Sequence, residues 1–301
     1  MPHMLPHIRI SPFLPREWER LLESKKENKD SQFDQPSFWL DKAWELNYFN
    51  SGRMALWACL VNEKLKPEDE VFILKTTEGP YISSCVTETI KRVCQWSQNL
   101  SPKTKAVLVI HEFGFPCSLS MIKPYLNKGL IIIEDCAYAI GSRIEGVGVG
   151  TIGDYAIYSL TKYYPVPFGG LLTSKKAINI KKLRSMISPV DIQRLKLTLK
   201  KFAPFLKRWN EIRCKNWKFF SQQLSSYHIT PYFDLKRGVI PGVFLARLPK
   251  GIAGDVQKKS LNQAGVEATE YYGQGGFYFP VHQFLTDFEK GYILYHFINP
   301  S

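Results

Sequence analysis

The sequence contains no Cys-x-x-Cys pair: its cysteines, Cys59, Cys85, Cys94, Cys117, Cys136 and Cys214, are scattered singly along the chain. That scatter supplies neither the paired thiolates of a structural zinc site nor a disulfide framework, so free thiols in a reducing compartment are expected and no metal centre is. Long apolar runs are missing as well. Stretches such as Ala106–Ile110 and Leu130–Ile133 fall far short of the roughly 18 residues that a membrane helix needs, so no membrane span is expected. Residues 1–29 mix His, Pro, Arg and Glu with short apolar groups and lack the uninterrupted apolar core of a secretion signal. A cytoplasmic protein is the expectation. Internal repeats and low-complexity tracts are also absent.

Acidic residues are scarce relative to basic ones, with 27 Asp and Glu against 40 Lys and Arg, a formal net charge of +13. Much of the excess lies between Lys175 and Lys218, where Asp191 and Glu211 are the acidic exceptions. Such a field favours anionic partners, among them a nucleotide-linked substrate, nucleic acid or an anionic surface, without choosing among them. A solvated basic helical face explains the same charge. What is plentiful is apolar material: 45% hydrophobic residues over 301 positions suffice for a sizeable core in one large domain or two smaller ones.

From Ser51 onward the pattern is that of an α/β protein. A helix is expected over Met54–Leu65, a strand over Val71–Leu74 and a second helix over Ser83–Trp96. Then follow strand Ala106–Ile110, helix Ser118–Asn127, and strands Gly129–Glu134, Tyr155–Ser159 and Gly170–Thr173. Alternation of strands and helices implies a largely parallel, buried sheet. A basic and aromatic region, Lys181–Tyr227, interrupted by Pro189 and Pro204, reads as two or three helices leading to a second unit. That unit reads as strand Gly242–Leu248, helix Gly254–Gln263, strand Val266–Thr269, a glycine-rich turn at Gly273–Gly276 and helix Asp287–Phe297. The expected division is a large domain over 1–180, with an N-terminal arm, and linking helices plus a small C-terminal domain over 181–301.

Chemistry concentrates where strands end. Asp135 follows the run Leu130–Ile133 and Glu134, which puts a carboxylate at the carboxyl end of an expected central strand, the edge at which ligands of open α/β sheets collect. Taken alone, an Asp there is as readily a helix cap or a turn former. Lys162 lies just past the strand ending at Ser159 and is followed by Pro165, Pro167, Gly169 and Gly170, a stiff loop near the same edge. A desolvated lysine can lose its proton and attack an aldehyde carbon, although most lysines are ordinary surface residues. Ser51, Gly52 and Arg53 open a helix whose free N–H groups suit a phosphate, with charge-assisted hydrogen bonds from Arg53, though Ser-Gly is also a common cap. His111 reads equally well as a satisfied strand-end histidine and is given no catalytic role.

An ordered series of motifs resembles the DegT/DnrJ/EryC1/StrS sugar aminotransferases, pyridoxal-phosphate enzymes of the aspartate-aminotransferase fold. Ser51-Gly-Arg-Met-Ala-Leu56 is similar to the family's phosphate-binding helix start. Thr104 through Gly114 resembles its strand ending in V-H-x-[YF]-G, and Ile133-Glu-Asp135-Cys-Ala-Tyr138-Ala its E-D-A-A-[QH]-A. Gly153-Asp154 through Gly170 resembles G-D…S…K…G-G, and Phe279-Pro280-Val-His282-Gln-Phe-Leu-Thr286 resembles L-P-x-H-x-x-L-T. Agreement of the whole series is far more specific than any one motif. The resemblance spans roughly Asn50–Ser174 and Gly242–Phe297.

The resemblance implies a large domain with a mostly parallel sheet, a small C-terminal α/β domain, and pyridoxal 5'-phosphate as cofactor. It implies that Lys162 is the Schiff-base lysine and proton shuttle, and that Asp135 keeps the pyridine nitrogen protonated. Ser51, Gly52, Arg53 and Ser159 would hold the phosphate, Tyr138 would stand beside the ring hydroxyl, and Tyr81 over the ring face, where core packing is an equal reading. The implied activity is transfer of an amino group, from glutamate or glutamine, to a nucleotide-linked keto sugar for surface-polysaccharide or amino-sugar biosynthesis, by a homodimer. Retention of Lys162 argues against the family's dehydratase branch, which has histidine there. Departures are the close spacing of Ser159 and Lys162, a short stretch between Ile90 and Lys103 that implies a missing or rebuilt sheet edge, and no G-x-N-x-R segment after Ser174. The last two motivate an alternative, a protein keeping the fold but acting as scaffold or partner subunit. Binding of an anionic polymer by Lys175–Lys218, with Trp209 and Trp217 interleaved, is a third reading, in which nucleic acid is not the favoured partner.

Overall fold

The computed structural model describes residues 7–13, 44–176, 178, 187–249 and 251–300. Its centre is a seven-stranded sheet. In chain order the strands are β1 (Glu45–Phe49), β2 (Glu70–Lys75), β3 (Gln95–Ser97), β4 (Thr104–Ile110), β5 (Ile131–Asp135), then a short hairpin β6 (Arg143–Ile144) and β7 (Val147–Gly148) outside the sheet, β8 (Tyr155–Ser159) and β9 (Gly170–Ser174). The spatial order is β1-β9-β8-β5-β4-β2-β3. Strands β8, β5, β4, β2 and β3 run parallel, and β9 runs antiparallel to both β8 and β1.

Both faces are covered, which is why the strands read as continuous apolar runs. Because successive side chains point to opposite faces, Ala106 and Leu108 join Leu56, Ile73, Ile133 and Ile157 on one side. Val107 and Val109 join Ile132, Ala156 and Tyr158 on the other. Helix α1 (Gly52–Asn62) buries Ala55, Leu56, Ala58, Cys59 and Leu60 against β8 and β9, and α2 (Ser84–Lys91) packs beside it.

The stretch expected as one helix from Ser83 to Trp96 divides. Its helix stops at Lys91, the chain turns through Cys94, and Gln95–Ser97 pairs in parallel with Glu70–Phe72. The short segment after Ile90 therefore rebuilds the sheet edge with a three-residue strand. The helix expected over Ser118–Asn127 is likewise shorter: α3 (Leu119–Ile122) gives way to a 3-10 turn at Lys123–Tyr125. Pro124, with no N–H and a bulky ring, does not continue an α-helix there.

The basic region resolves into α4 (Pro189–Phe202) and α5 (Leu206–Ser225), separated by a 3-10 turn containing Pro204. Ser188 caps α4, its hydroxyl accepting from Asp191 N at 3.1 Å, with Pro189 at the position where a missing N–H costs nothing. Lys181 and its neighbours 179–186 lie outside the described residues. Trp209 and Trp217 are buried in the two main cores, so neither offers a face for stacking on a polymer.

The C-terminal unit is a four-stranded antiparallel sheet. Its strands are β10 (Thr230–Pro231), β11 (Val243–Arg247), β12 (Thr269–Tyr271) and β13 (Gly276–Pro280), in the order β10-β11-β13-β12, with α6 (Gly254–Gln263) and α7 (Asp287–Ile298) against it. The strand expected at Val266–Thr269 starts later than its pattern suggested, and the stretch from the end of the expected turn into the start of the Phe279–Thr286 motif, Gly276–Pro280, is a strand. Aromatic packing dominates this core, with Phe220, Phe244, Phe277, Phe279 and Phe297 all buried. The N-terminal segment also lies here: His7 and Ile8 N–H donate to Gly265 O, and Glu267 N–H donates to Ile8 O.

Candidate active site

The carboxyl ends of β2, β4, β5 and β8 and the start of α1 surround one cavity of about 470 Å³, within the size range of small-molecule sites. Ser51, Gly52, Arg53, Tyr81, Asp135, Tyr138, Ser159 and Lys162 all line it. The eight residues that the resemblance assigns to the cofactor thus reach the same space, although they span more than a hundred positions of chain.

At one end is the start of α1. Ser51 caps it, its hydroxyl accepting from Met54 N at 3.3 Å, and the helix start, Ser51 to Arg53, lines the cavity; the first N–H groups of a helix have no partner within it. The close approach at this corner depends on Gly170 rather than Gly52. A Cβ on Gly170 would stand 2.2 Å from Ser51 C and O and 2.6 Å from Gly52 N, whereas one on Gly52 would make ordinary contacts of 3.5 Å. Ser159 Oγ lies 3.2 Å from Thr161 Oγ1, and both residues line the cavity.

Lys162 closes a single 3-10 turn, Leu160–Lys162, directly after β8. The loop beyond it is tied at both ends: Leu160 N–H donates to Gly169 O at 3.0 Å and Gly169 N–H to Asn50 O at 2.9 Å. The Lys162 ammonium sits 4.9 Å from the centroid of the Tyr138 ring. Tyr138 stabilises the charged form, and this outweighs burial, so the Lys162 pKa is raised.

Glu134 and Asp135 are neighbours on β5 and point to opposite faces. Asp135 faces the cavity, is 8% exposed, and accepts one hydrogen bond among the described residues, from Ala137 N at 3.0 Å. Burial raises its pKa, with the Ala137 N–H and His111 acting in the opposite direction. Glu134 turns inward and accepts from Gly150 N, Ile152 N and Gly153 N and meets His111 Nε2 at 3.1 Å. Burial opposes its charge, but His111 and these N–H groups prevail and hold its pKa below the usual range.

His111, Glu134 and Cys136 bring ligand-type atoms within 4.8 Å of one another, the spacing of a metal site. Their donor chemistry does not suit one. His111 Nδ1 already accepts from Cys117 N, Glu134 is occupied by backbone donors, and burial pushes the Cys136 thiol well above its ordinary pKa. The cluster is a hydrogen-bonded buttress beneath Asp135.

Sequence reading missed a second polar group on the cavity wall. Lys75, 4% exposed, donates to Thr77 Oγ1 at 2.7 Å and lies 3.6 Å from Glu112 Oε1. Glu112 also accepts from Thr77 N and Oγ1 at 2.8 Å and from Tyr271 OH at 2.6 Å. Lys75 at the carboxyl end of β2 carried a positional signal that the rule for strand ends would have flagged. Tyr271 and Tyr278 come from the C-terminal sheet and have no local signal. With Phe113 and Tyr81 they form an aromatic wall, Tyr271 lying 5.5 Å from Tyr81 and 5.2 Å from Phe113. Phe113 has φ 55°, a strained conformation for a bulky residue of the kind that concentrates at functional sites.

A mostly parallel sheet carrying a carboxylate and a lysine at adjoining strand ends, capped by a small antiparallel unit, is the fold of pyridoxal-phosphate-dependent transferases of the aspartate-aminotransferase type. Solved structures agree in fold. The aminotransferase TlmJ from Streptoalloteichus hindustanus superposes with a TM-score of 0.73 at 17% identity, covering 93% of each chain. The PLP-form of Spr1654 from Streptococcus pneumoniae gives 0.70 at 15% identity, covering 99% of this chain and 97% of that one. Residues 91–189 match the model of the DegT/DnrJ/EryC1/StrS aminotransferase family. A UDP-N-acetyl-3-dehydro-alpha-D-glucosamine 3-aminotransferase from Acidithiobacillus ferrooxidans is 36% identical over 94 residues, 29% of this chain and 25% of that protein. The matched segment thus spans about a quarter of that relative's length.

Proposed function

We propose that this chain is a pyridoxal-phosphate-dependent aminotransferase that acts on a nucleotide-linked keto sugar, with glutamate or glutamine as amine donor, in amino-sugar or surface-polysaccharide biosynthesis. The observation that carries this reading is the convergence of Lys162, Asp135 and the start of α1 in one cavity. The donor set fits the cofactor. The α1 start, Arg53, Ser159 and Thr161 suit a phosphate, while Asp135, with one hydrogen bond already made, has acceptor capacity left for a protonated ring nitrogen. When bound, pyridoxal phosphate supplies an aldehyde to capture an amine and a ring that withdraws electrons from the adjacent carbon.

The chain's own residues divide the remaining work. Asp135, buried on a rigid strand, would stabilise positive charge at the ring nitrogen. Lys162 would hold the cofactor, and its amine is placed to carry a proton to and from the substrate. Tyr138, beside the Lys162 ammonium, orients that group. Tyr81, Phe113, Tyr271 and Tyr278 exclude water and offer aromatic faces to a sugar ring. Cytoplasmic location and a homodimer belong to the same proposal. Among the described residues no helix is long and apolar enough to cross a membrane. The scaffold alternative loses its structural motive at the sheet edge, which β3 completes.

Absorbance of the purified protein with added pyridoxal phosphate, followed by borohydride reduction and peptide mapping, tests the cofactor. The expected adduct is on Lys162, and its absence, or attachment elsewhere, overturns the assignment. Glutamate or glutamine is then expected to convert the bound cofactor to its amine form. Failure of both donors, with the Lys162 adduct intact, would favour the scaffold.

A further inference from the structure

We infer that Arg213, on α5 and outside the cavity, is the positioning residue that fixes Lys162 and Tyr138 for cofactor capture; this rests on the cofactor assignment above. Arg213 is fully buried, 0% exposed, although it belongs to the region whose charge reads as a solvated basic face. No carboxylate among the described residues pairs with it. Its Nη2 donates instead to the backbone carbonyl of Lys162 at 2.8 Å, and its Nε to Gln283 Oε1 at 2.9 Å. Gln283 Nε2 in turn donates to the carbonyl of the next residue, Tyr163, at 2.9 Å. Consecutive carbonyls of the lysine loop are thus gripped by one side-chain pair.

The grip extends to Tyr138. The guanidinium lies over the Tyr163 ring at 4.2 Å from its centroid, and the Tyr163 hydroxyl donates to the Tyr138 carbonyl. Arg213 therefore touches the backbone of Lys162 and the ring that anchors Tyr138, the two groups that face each other at 4.9 Å in the cavity. Burying a cation without a carboxylate is costly. Arg213 Nη1 adds to that cost, being buried without a hydrogen-bond partner among the described residues. A core that needed only volume would be better served by an apolar side chain. The arrangement also gives the Phe279–Thr286 motif a role: it carries Gln283, while Asn216 of α5 holds its backbone by donating to Val281 O and His282 O.

The test compares pyridoxal phosphate, which needs Lys162 placed for covalent capture, with pyridoxamine phosphate, which binds the same cavity without bonding to lysine. In the full chain, Arg213→Met is expected to weaken pyridoxal phosphate by about tenfold or more, the effect of a lost charge-assisted hydrogen bond, and to lower the borohydride-trapped fraction on Lys162. Pyridoxamine phosphate affinity is expected to change less than about twofold. Arg213→Lys, which can still donate to the Lys162 carbonyl, is expected to recover part of the loss. Gln283→Leu, a milder change that keeps the cation, is expected to shift the same ratio in the same direction and stands in if Arg213→Met does not fold. Parallel weakening of both ligands would make Arg213 a structural residue only, and unchanged affinities would remove it from the site; either result overturns the inference while leaving the cofactor assignment intact. A wild-type protein with no adduct on Lys162 overturns both.

Discussion

Gly170 stands against the carbonyl of Ser51 so closely that a methyl group on it would lie 2.2 Å from the Ser51 carbonyl carbon and oxygen. Backbone meets backbone there, joining β9 to the α1 start that lines the cavity. Gly170→Ala is expected to push that helix start away, costing about 1–3 kcal/mol of stability as overpacking does. Inorganic phosphate and pyridoxal phosphate should both bind more weakly, measured by calorimetry beside thermal unfolding. Unchanged phosphate affinity in a folded variant would remove the α1 start from the phosphate site.

The buried Glu134 makes a second prediction, about acid. Its folded pKa is depressed, chiefly by His111 against the opposing effect of burial, so it contributes stability at neutral pH. That stability is lost as pH falls from the ordinary carboxylate range through its lowered folded value. Glu134→Gln would turn an amide group toward backbone donors and is expected to cost about 3–5 kcal/mol, the range for breaking a buried pair. Denaturant unfolding followed from neutral to acid pH should show a shallower slope in the variant; parallel curves would mean that Glu134 is not the group titrating.

His282 works in a different window. Burial, followed by the nearby Arg213 charge, lowers its pKa from 6.5 to about 3. The unfolded chain therefore takes up a proton first, and the neutral ring's contribution is full above about 6.5 and declines as pH falls from there toward about 3. His282→Leu should flatten this part of the stability profile. It also removes the ring nitrogen that accepts from Phe284 N at 3.2 Å, a loss expected to cost about 1–3 kcal/mol.

Lys75 and Glu112 provide a coupling test at the cavity wall, where their charges lie 3.6 Å apart. Lys75→Met and Glu112→Gln should each destabilise, and the double variant should cost less than their sum by about 1 kcal/mol or more, as neighbouring charges do. Strict additivity in a double-mutant cycle would show that the two charges act independently.

Much of this site was legible in the sequence because its residues sit at strand and helix ends with local signatures. Asp135 after an apolar run, Ser51-Gly-Arg at a helix start and Lys162 before a stiff loop each carry their signal within a few residues. The strands β4, β8 and β9 were legible for a related reason: sheets buried on both faces need unbroken apolar runs. Edges were less legible. Three residues suffice for β3 because its pairing partner β2 supplies the ladder, and no pattern of its own announces it.

The order of chemistry along the chain, from Ser51-Gly-Arg through Asp135 to Lys162 and the Phe279–Thr286 motif, was determined by the sequence alone, as was the α/β alternation that brings strand ends to one edge. Tertiary structure alone decided which distant groups complete the site. Arg213 reads as one more charge in a basic helix until α5 packs behind the lysine loop, and Tyr271, beyond the expected strand Val266–Thr269, carries no signal until the C-terminal sheet sets it on Glu112. Burial and hydrogen-bond partners across long sequence separations decide both, and neither has a local periodicity that encodes it.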